Sequence, residues 1–321
     1  MIHRKFNHSP VNHIKIPAQN MRNTLLVSLL TLMTIITCNS FGQTTSYLAE
    51  VQQWHTSRID ALKMPNGWLN LEGLFWLKEG VNQFGADSKN DLVYSNPAFP
   101  KHLGDFILNG GKVFWKNAAG QSITVKTSTD AVVQDISNVN LLSKTDGEFT
   151  SHWKNFTWIV IQREDKIGIR FRNLKAKTLL EFKGIERFPV EAKWHIKAKV
   201  IPQDQNPLMI MNVLGQNTAQ KHGGKLVFEI EGKTYQLDAI DEGGTRLFVA
   251  FSDATSGNTT YGAGRFIELE RPDATGYTYI DFNKAYNPPC AFTEFATCPL
   301  PPPQNRMSIA IPAGEKKYGH H

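Results

Sequence analysis

The side chains of this sequence best suited to acid–base chemistry lie in two neighbouring stretches near its C-terminal end. The first, FSDATSGNTTYGAGR (Phe251 to Arg265), gathers Asp253, Thr255, Ser256, Asn258, Tyr261 and Arg265 in a Gly-rich loop. The second, YIDFNKAYNPP, adds Asp281, Asn283, Tyr286 and Asn287. Two carboxylates, with an arginine to hold an anion and a tyrosine to pass a proton, would serve hydrolysis, and Asp253, Asp281 and Tyr286 are the catalytic candidates. Sequence spacing does not set the carboxylate separation on which such a mechanism depends. Asp, Ser, Thr and Asn are also the residues that turns favour, because their side chains bond the local backbone. On that reading Asp253 and Arg265 form a buried pair and the loop is architectural.

The segment FNKAYNPPCAFTEFATCPLPPPQNR (Phe282 to Arg306) cannot be an ordinary helix or a central strand. Asn287 precedes two prolines and is driven to extended or turn backbone, while Pro299 and Pro301 to Pro303 impose polyproline II geometry. Two uses follow for so stiff a segment. It caps an open end of a β-architecture, its Asn side chains satisfying stranded backbone groups, or it presents pre-organised polar groups to a ligand at low entropic cost. The ligand-binding candidates are Arg187, Thr255, Tyr261, Arg265, Asn283, Asn287, Asn305 and Arg306. A nucleophilic role for Cys290 or Cys298 lacks a histidine nearby to act as base. The sequence has no HExxH helix, no Gly-x-Ser-x-Gly elbow and no phosphate or dinucleotide loop, and His55, His102, His152, His195 and His222 are scattered, so neither metal nor cofactor is expected.

The compartment is read at the other end of the chain. MRNTLLVSLLTLMTIITCNSFGQ (Met21 to Gln43) has a basic start, an apolar run from Leu25 to Thr37, and small residues at Ser40 and Gly42. That is the pattern of a secretory signal peptide over residues 1–42, with Met21 as an alternative start. The apolar run falls short of the roughly 20 residues that span a bilayer, so no integral membrane span is expected. The protein is expected to be exported, to the periplasm or beyond; the alternative is a lipoprotein anchored through Cys38. In an oxidising compartment the remaining pair, Cys290 and Cys298, is expected to form a disulfide. Four of the 35 basic side chains lie in residues 1–42 with no acidic one, which leaves 31 against 29 acidic. A domain that near neutrality carries no electrostatic footprint for nucleic acid.

Positioning these residues falls to a β-rich chain. Residues 46–66 form the N-terminal helix: SYLAEVQQWHTSRIDALK repeats apolar residues at helical spacing and has no Gly or Pro before Pro65. From Gly67 short apolar runs alternate with Gly, Asn, Asp and Pro. NFTWIVIQR and IGIRFR flank a turn at Glu164 to Lys166, and Ile167, Ile169 and Phe171 alternate with Gly168, Arg170 and Arg172. WHIKAKV alternates likewise, and KLVFEIEGKTYQLDAI reads as a hairpin with Gly232 and Lys233 in a type II′ turn. Further strands are expected at TRLFVAF, GRFIELE, GYTYIDF and MSIAI. The aromatic run GWLNLEGLFWL, with Trp68, reads as core. The fold class is mainly β, an antiparallel sandwich or barrel-like architecture, with two β-rich lobes proposed at 67–146 and 149–321.

Two resemblances extend this reading. GVNQFGADSKNDLVY sets Gly80, Gly85, Asn90, Asp91 and Leu92 at spacings similar to the opening of forkhead-associated β-sandwiches; Ala86 stands where that family reads phosphothreonine with Arg, so only backbone shape carries over. At YGAGRFIELE, DFNKAYNPPCAF, CPLPPPQNR and IPAGEK the sequence resembles a bacterial and archaeal family known as a domain of unknown function, over a region from Gly67 to Lys316. The resemblance implies membership and no activity. The functional expectation is an exported protein that binds a small polar ligand or envelope component; the alternatives are a hydrolase using carboxylates in a C-terminal cleft and a structural or interaction module. The intact mass of secreted protein tests the first point: a chain beginning at Gln43 is expected, and a secreted product that keeps Cys38 contradicts it.

Overall fold

The computed structural model describes residues 45–143, 147–203 and 206–319. The expected signal peptide, Cys38 and the lobe boundary at Asp146 lie outside the described residues. The first half of the chain runs through α1 (residues 45–63), β1 (Leu71–Trp76), β2 (Gly80–Gly85), β3 (Leu92–Val93), β4 (Gly104–Asn109), β5 (Lys112–Asn117), β6 (Thr124–Thr127), β7 (Phe149–Trp153), β8 (Phe156–Arg163) and β9 (Lys166–Asn173). The second runs through α2 (Lys177–Leu180), β10 (His195–Ile201), β11 (Leu208–Met211), β12 (Asn217–Gln220), β13 (His222–Ile230), β14 (Lys233–Ile240), β15 (Arg246–Phe251), β16 (Arg265–Glu270) and β17 (Tyr277–Asp281).

The first half is a sandwich. A five-stranded sheet ordered β1-β9-β8-β7-β6 faces a four-stranded sheet ordered β3-β2-β4-β5, antiparallel except for the β2–β3 pair. Because strand side chains alternate faces, Phe156, Trp158 and Val160 of β8 and Ile169 and Phe171 of β9 turn inward onto Phe84, Phe106 and Trp115 of the opposite sheet. Trp158 stands among them, 5.7 Å from Trp115 and 6.0 Å from Phe171, ring centre to ring centre. Strands β7 to β9, which sequence reading placed in the second lobe, pair with β6 and β1 and complete this sheet. Strand order is set by long-range pairing, which no local pattern encodes.

The second half curls into a nearly closed barrel. Six strands are ordered β16-β15-β14-β13-β10-β17, and the two end strands approach where the Thr278 hydroxyl donates to the Glu270 carbonyl at 2.7 Å. Its interior holds Ala198, Val200, Leu226, Phe228, Leu237, Val249, Phe251, Ile267 and Ile280. The hairpin turn differs by one residue from the expected one. Ile230 pairs with Lys233, so Glu231 and Gly232 form the loop, at φ of 51° and 76°; both positive values make it type I′. MSIAI is not a strand. It runs beside Ser252 to Ala254 through isolated bonds, Met307 N–H to Ser252 and Ala254 N–H to Ile309, and the carbonyls of Ile311 and Ala313 that follow accept from Arg265.

Helix α1 places Val51, His55, Arg58 and Leu62 on one stripe, of which Val51 and Leu62 are buried. Among the described residues no helix is long and apolar enough to cross a membrane. The proline segment packs on the barrel at Gly264, whose φ is +94°, where a Cβ would lie 2.5 Å from Pro301 Cγ and 2.6 Å from the Phe251 carbonyl oxygen. Gly264→Ala is expected to cost more than about 1 kcal/mol in urea denaturation; an unchanged midpoint contradicts this packing.

Candidate functional site

The two C-terminal stretches do meet. Ser252 donates to the Asn305 carbonyl at 3.1 Å and accepts from Met307 at 2.8 Å, so the tail lies along the end of β15. The polar side chains at this junction point inward. Arg265, 0% exposed, donates to Asp253 at 2.5 Å, to the Ile311 carbonyl at 3.0 Å and to the Ala313 carbonyl. Burial pulls the guanidinium below its ordinary range, and Asp253 opposes that pull. Asp253 also accepts from the Thr255 N–H at 2.7 Å and hydroxyl at 2.6 Å.

Asparagines tie the rest together. Asn305 accepts from the Asp238 N–H at 2.7 Å and donates to the carbonyls of Asp238 and Ala250, both at 2.9 Å, and so bridges β14 and β15. Asn287 donates its N–H at 2.7 Å and its amide at 3.0 Å to the buried carboxylate of Glu315. Burial pushes that carboxyl up, and Arg58, 3.5 Å away, opposes it. Asn283 exchanges bonds with the Glu191 backbone at 2.9 and 3.1 Å. Asp281 caps the turn by accepting from the Asn283 N–H at 3.1 Å and lies 3.6 Å from Lys284. The Tyr286 hydroxyl donates to Glu268 at 3.3 Å, and burial pushes its pKa up. Arg187 donates to Gln52. Arg306 alone among these candidates is exposed.

The expected disulfide is absent. Cys290 and Cys298 are free thiols, and the Cys298 sulfur accepts from the Cys290 backbone N–H at 3.0 Å. The loop thus aims the Cys298 sulfur at the Cys290 backbone, and Cys298 is buried beside Phe248, Phe266 and Ala296. Cys290 and Tyr261 line a cleft of about 640 Å³ with Glu72, Phe292 and Glu294, where the Tyr261 hydroxyl donates to the Cys290 carbonyl at 3.1 Å. Charges of one sign do not converge there.

They converge on the outer face of the five-stranded sheet. The alternation that sends Ile169 and Phe171 inward sends Arg170 and Arg172 outward, on a central strand. Register carries this face across the sheet: Arg172 stands opposite Thr157 and Thr157 opposite His152, while Arg170 stands opposite Ile159 and Lys126 opposite Thr150. These residues line a cleft of about 680 Å³, walled by Pro65, Asn66 and Trp68 from the α1–β1 connection, within the usual ~300–1,000 Å³ of small-molecule sites. Arg170 and Arg172 are only 7% and 6% exposed. The Arg170 guanidinium lies 5.1 Å from the Trp68 ring centre, and Arg172 donates to the Asn66 carbonyl at 3.2 Å.

Among the described residues the cleft therefore combines three cations with the hydroxyls of Ser128, Thr150 and Thr157 and one carboxylate, Asp130, which is 90% exposed and 3.6 Å from Lys126. Burial and the nearby Lys126 hold His152 below its ordinary range, so it is neutral at neutral pH. Guanidinium forks in a half-dry cleft are suited to carboxylate and phosphate. The alternation in IGIRFR is legible in the sequence, where Trp68 reads as core; which sheet face stays uncovered is set by sheet packing. Among the described residues no group of three or more His, Cys, Asp or Glu could hold a metal ion.

Residues 180–316 match the model of a family described as "Protein of unknown function (DUF1684)". The match takes in the barrel and the tail and begins well after Gly67. An uncharacterized protein of Haloarcula marismortui, solved by solution NMR, is 31% identical, over 42% of this chain and 77% of that chain, with a TM-score of 0.37. No curated protein matches. The inward-facing network is expected to be structural: Arg265→Gln strands the Asp253 carboxylate and costs about 3–5 kcal/mol in urea denaturation. A loss below about 1 kcal/mol contradicts that role.

Proposed function

We propose, for a chain that belongs to the DUF1684 family of proteins of unknown function, that it is an exported protein binding a small acidic ligand in the basic cleft of its sandwich. The observation that carries this reading is the convergence of Arg170, Arg172 and Lys126 on one sheet face around an open volume walled by Trp68. Cations gathered over a low-dielectric floor raise the local concentration of an anion and hold it more strongly than the same charges in water. Outside residues 1–42 the chain has 31 basic against 29 acidic side chains, which makes that convergence local.

The C-terminal motif serves the same function indirectly, as the device that locks the tail to the barrel. Hydrolysis through Asp253 draws no support from a carboxylate already bonded to Arg265 and Thr255 inside the protein. The cleft residues precede the region matched by the family, so the ligand is read from the cleft and not from membership.

Titration calorimetry with citrate at low salt tests the reading. Binding is expected for the unmodified protein and is expected to weaken at least about tenfold, equivalent to 1.4 kcal/mol, in Arg170→Gln and in Arg172→Gln. Absence of citrate and phosphate binding, or binding indifferent to both substitutions, contradicts it. The pH dependence has a defined sign. A bound anion favours the imidazolium of His152, whose surroundings are Lys126 and Asp130 from β6 and its turn and Arg172 from β9. Affinity for sulfate, whose charge is constant over this range, is therefore expected to strengthen as pH falls through and below about 6.5, and His152→Gln is expected to flatten that rise.

A further inference from the structure

We infer that the cleft takes an elongated ligand with an anionic group at each end and an apolar body between them, an α,ω-diacid in chemical class. This inference rests on the acidic-ligand reading and adds the spacing and number of the charges. The cations are not clustered at one point. Arg170 and Arg172 stand on β9, whereas Lys126 stands on the edge strand β6, with the neutral His152 between them on β7. With neighbouring strands about 4.8 Å apart, the backbone of β9 lies about 10 Å from that of β7 and about 14 Å from that of β6.

What lies between the two ends is not charged. Ile159 and Thr157 of β8 form the floor, and Trp68, Pro65 and Leu174 line the cleft beside them. An aliphatic or otherwise extended body covers such a floor and removes its apolar surface from water. One arginine lies over the Trp68 ring and the other donates to the Asn66 carbonyl.

The far end is open to a second anion. Lys126 has Asp130 as its ion-pair partner at 3.6 Å, but that carboxylate is almost wholly in water. Exposed pairs of this kind contribute only about 0–1 kcal/mol. A ligand carboxylate entering from the cleft side, where Thr150 and Ser128 supply hydroxyl donors, takes the place of Asp130 at little cost.

Calorimetric comparison of succinate, adipate, suberate and sebacate with butyrate, hexanoate, octanoate and decanoate separates the possibilities. Suberate or sebacate is expected to bind about tenfold or more tighter than its matched monoacid, the increment of one further charge-assisted contact. Succinate, too short to span the cleft, is expected to show little such advantage. Lys126→Gln is expected to bring the diacid-to-monoacid ratio close to one, and Lys126→Arg to preserve it; circular dichroism checks that both variants, altered on an edge strand, retain the fold. Equal binding of long diacids and their monoacids, or a preference for succinate, overturns the inference and leaves the acidic-ligand reading standing. Failure of every acid to bind overturns both.

Discussion

A charge pair sealed from water, Arg265 with Asp253, is the constraint on which the arrangement of the C-terminal half depends. Removing two charges from solvent costs several kcal/mol each, and their attraction offsets this only when the remaining donors and acceptors are also satisfied. Here Thr255 supplies two donors to the carboxylate, and the carbonyls of Ile311 and Ala313 receive the guanidinium. The pair is therefore tolerable only with the tail in place, and the tail is fixed by the pair. Its neighbour Glu315 then stands where it receives Asn287 from the proline segment and Arg58 from α1.

That dependence reaches the cleft. Arg58 also donates to the Asn287 carbonyl at 2.9 Å and lies 4.7 Å from the Tyr286 ring centre, so α1 is held against the tail. The connection leaving α1 carries Pro65, Asn66 and Trp68, which wall the cleft, and Trp68 packs against the groups formed by Ala291, Phe292, Ala296 and Cys298. The lock in one half thereby positions the aromatic ring over Arg170 in the other. The matched family region contains the barrel and the lock, while the charged face belongs to the sandwich that precedes it. Such a division is consistent with a binding site grafted on one part of a fold whose stability is secured in another.

Much of this was legible in the residues. Alternation located β8, β9, β10 and β15 to β17, the absence of Gly and Pro marked α1, and the prolines announced a stiff tail that returns to the barrel. What the letters left open was direction. An asparagine that satisfies buried carbonyls of β14 and β15, as Asn305 does, is written like one that faces a ligand. Only long-range packing decides which groups need a partner. The same holds for Cys290 and Cys298, whose short separation along the chain says nothing about where each sulfur points. Arg170 and Arg172 were visible as the polar face of a strand; that this face stays open under Trp68 depends on sheet order, which pairs residue 71 with residue 172.

Amide hydrogen exchange resolved to single residues tests the interlock most directly. Asn287, Met307 and Glu315 donate their backbone N–H groups to the Glu315 carboxylate, Ser252 and Ala285, respectively. If the buried pair makes tail and barrel one cooperative unit, these amides exchange together with those of β14 and β15, at a rate set by unfolding of the whole. Tail amides that exchange orders of magnitude faster than the barrel strands, through a local opening that leaves those strands protected, would contradict the account.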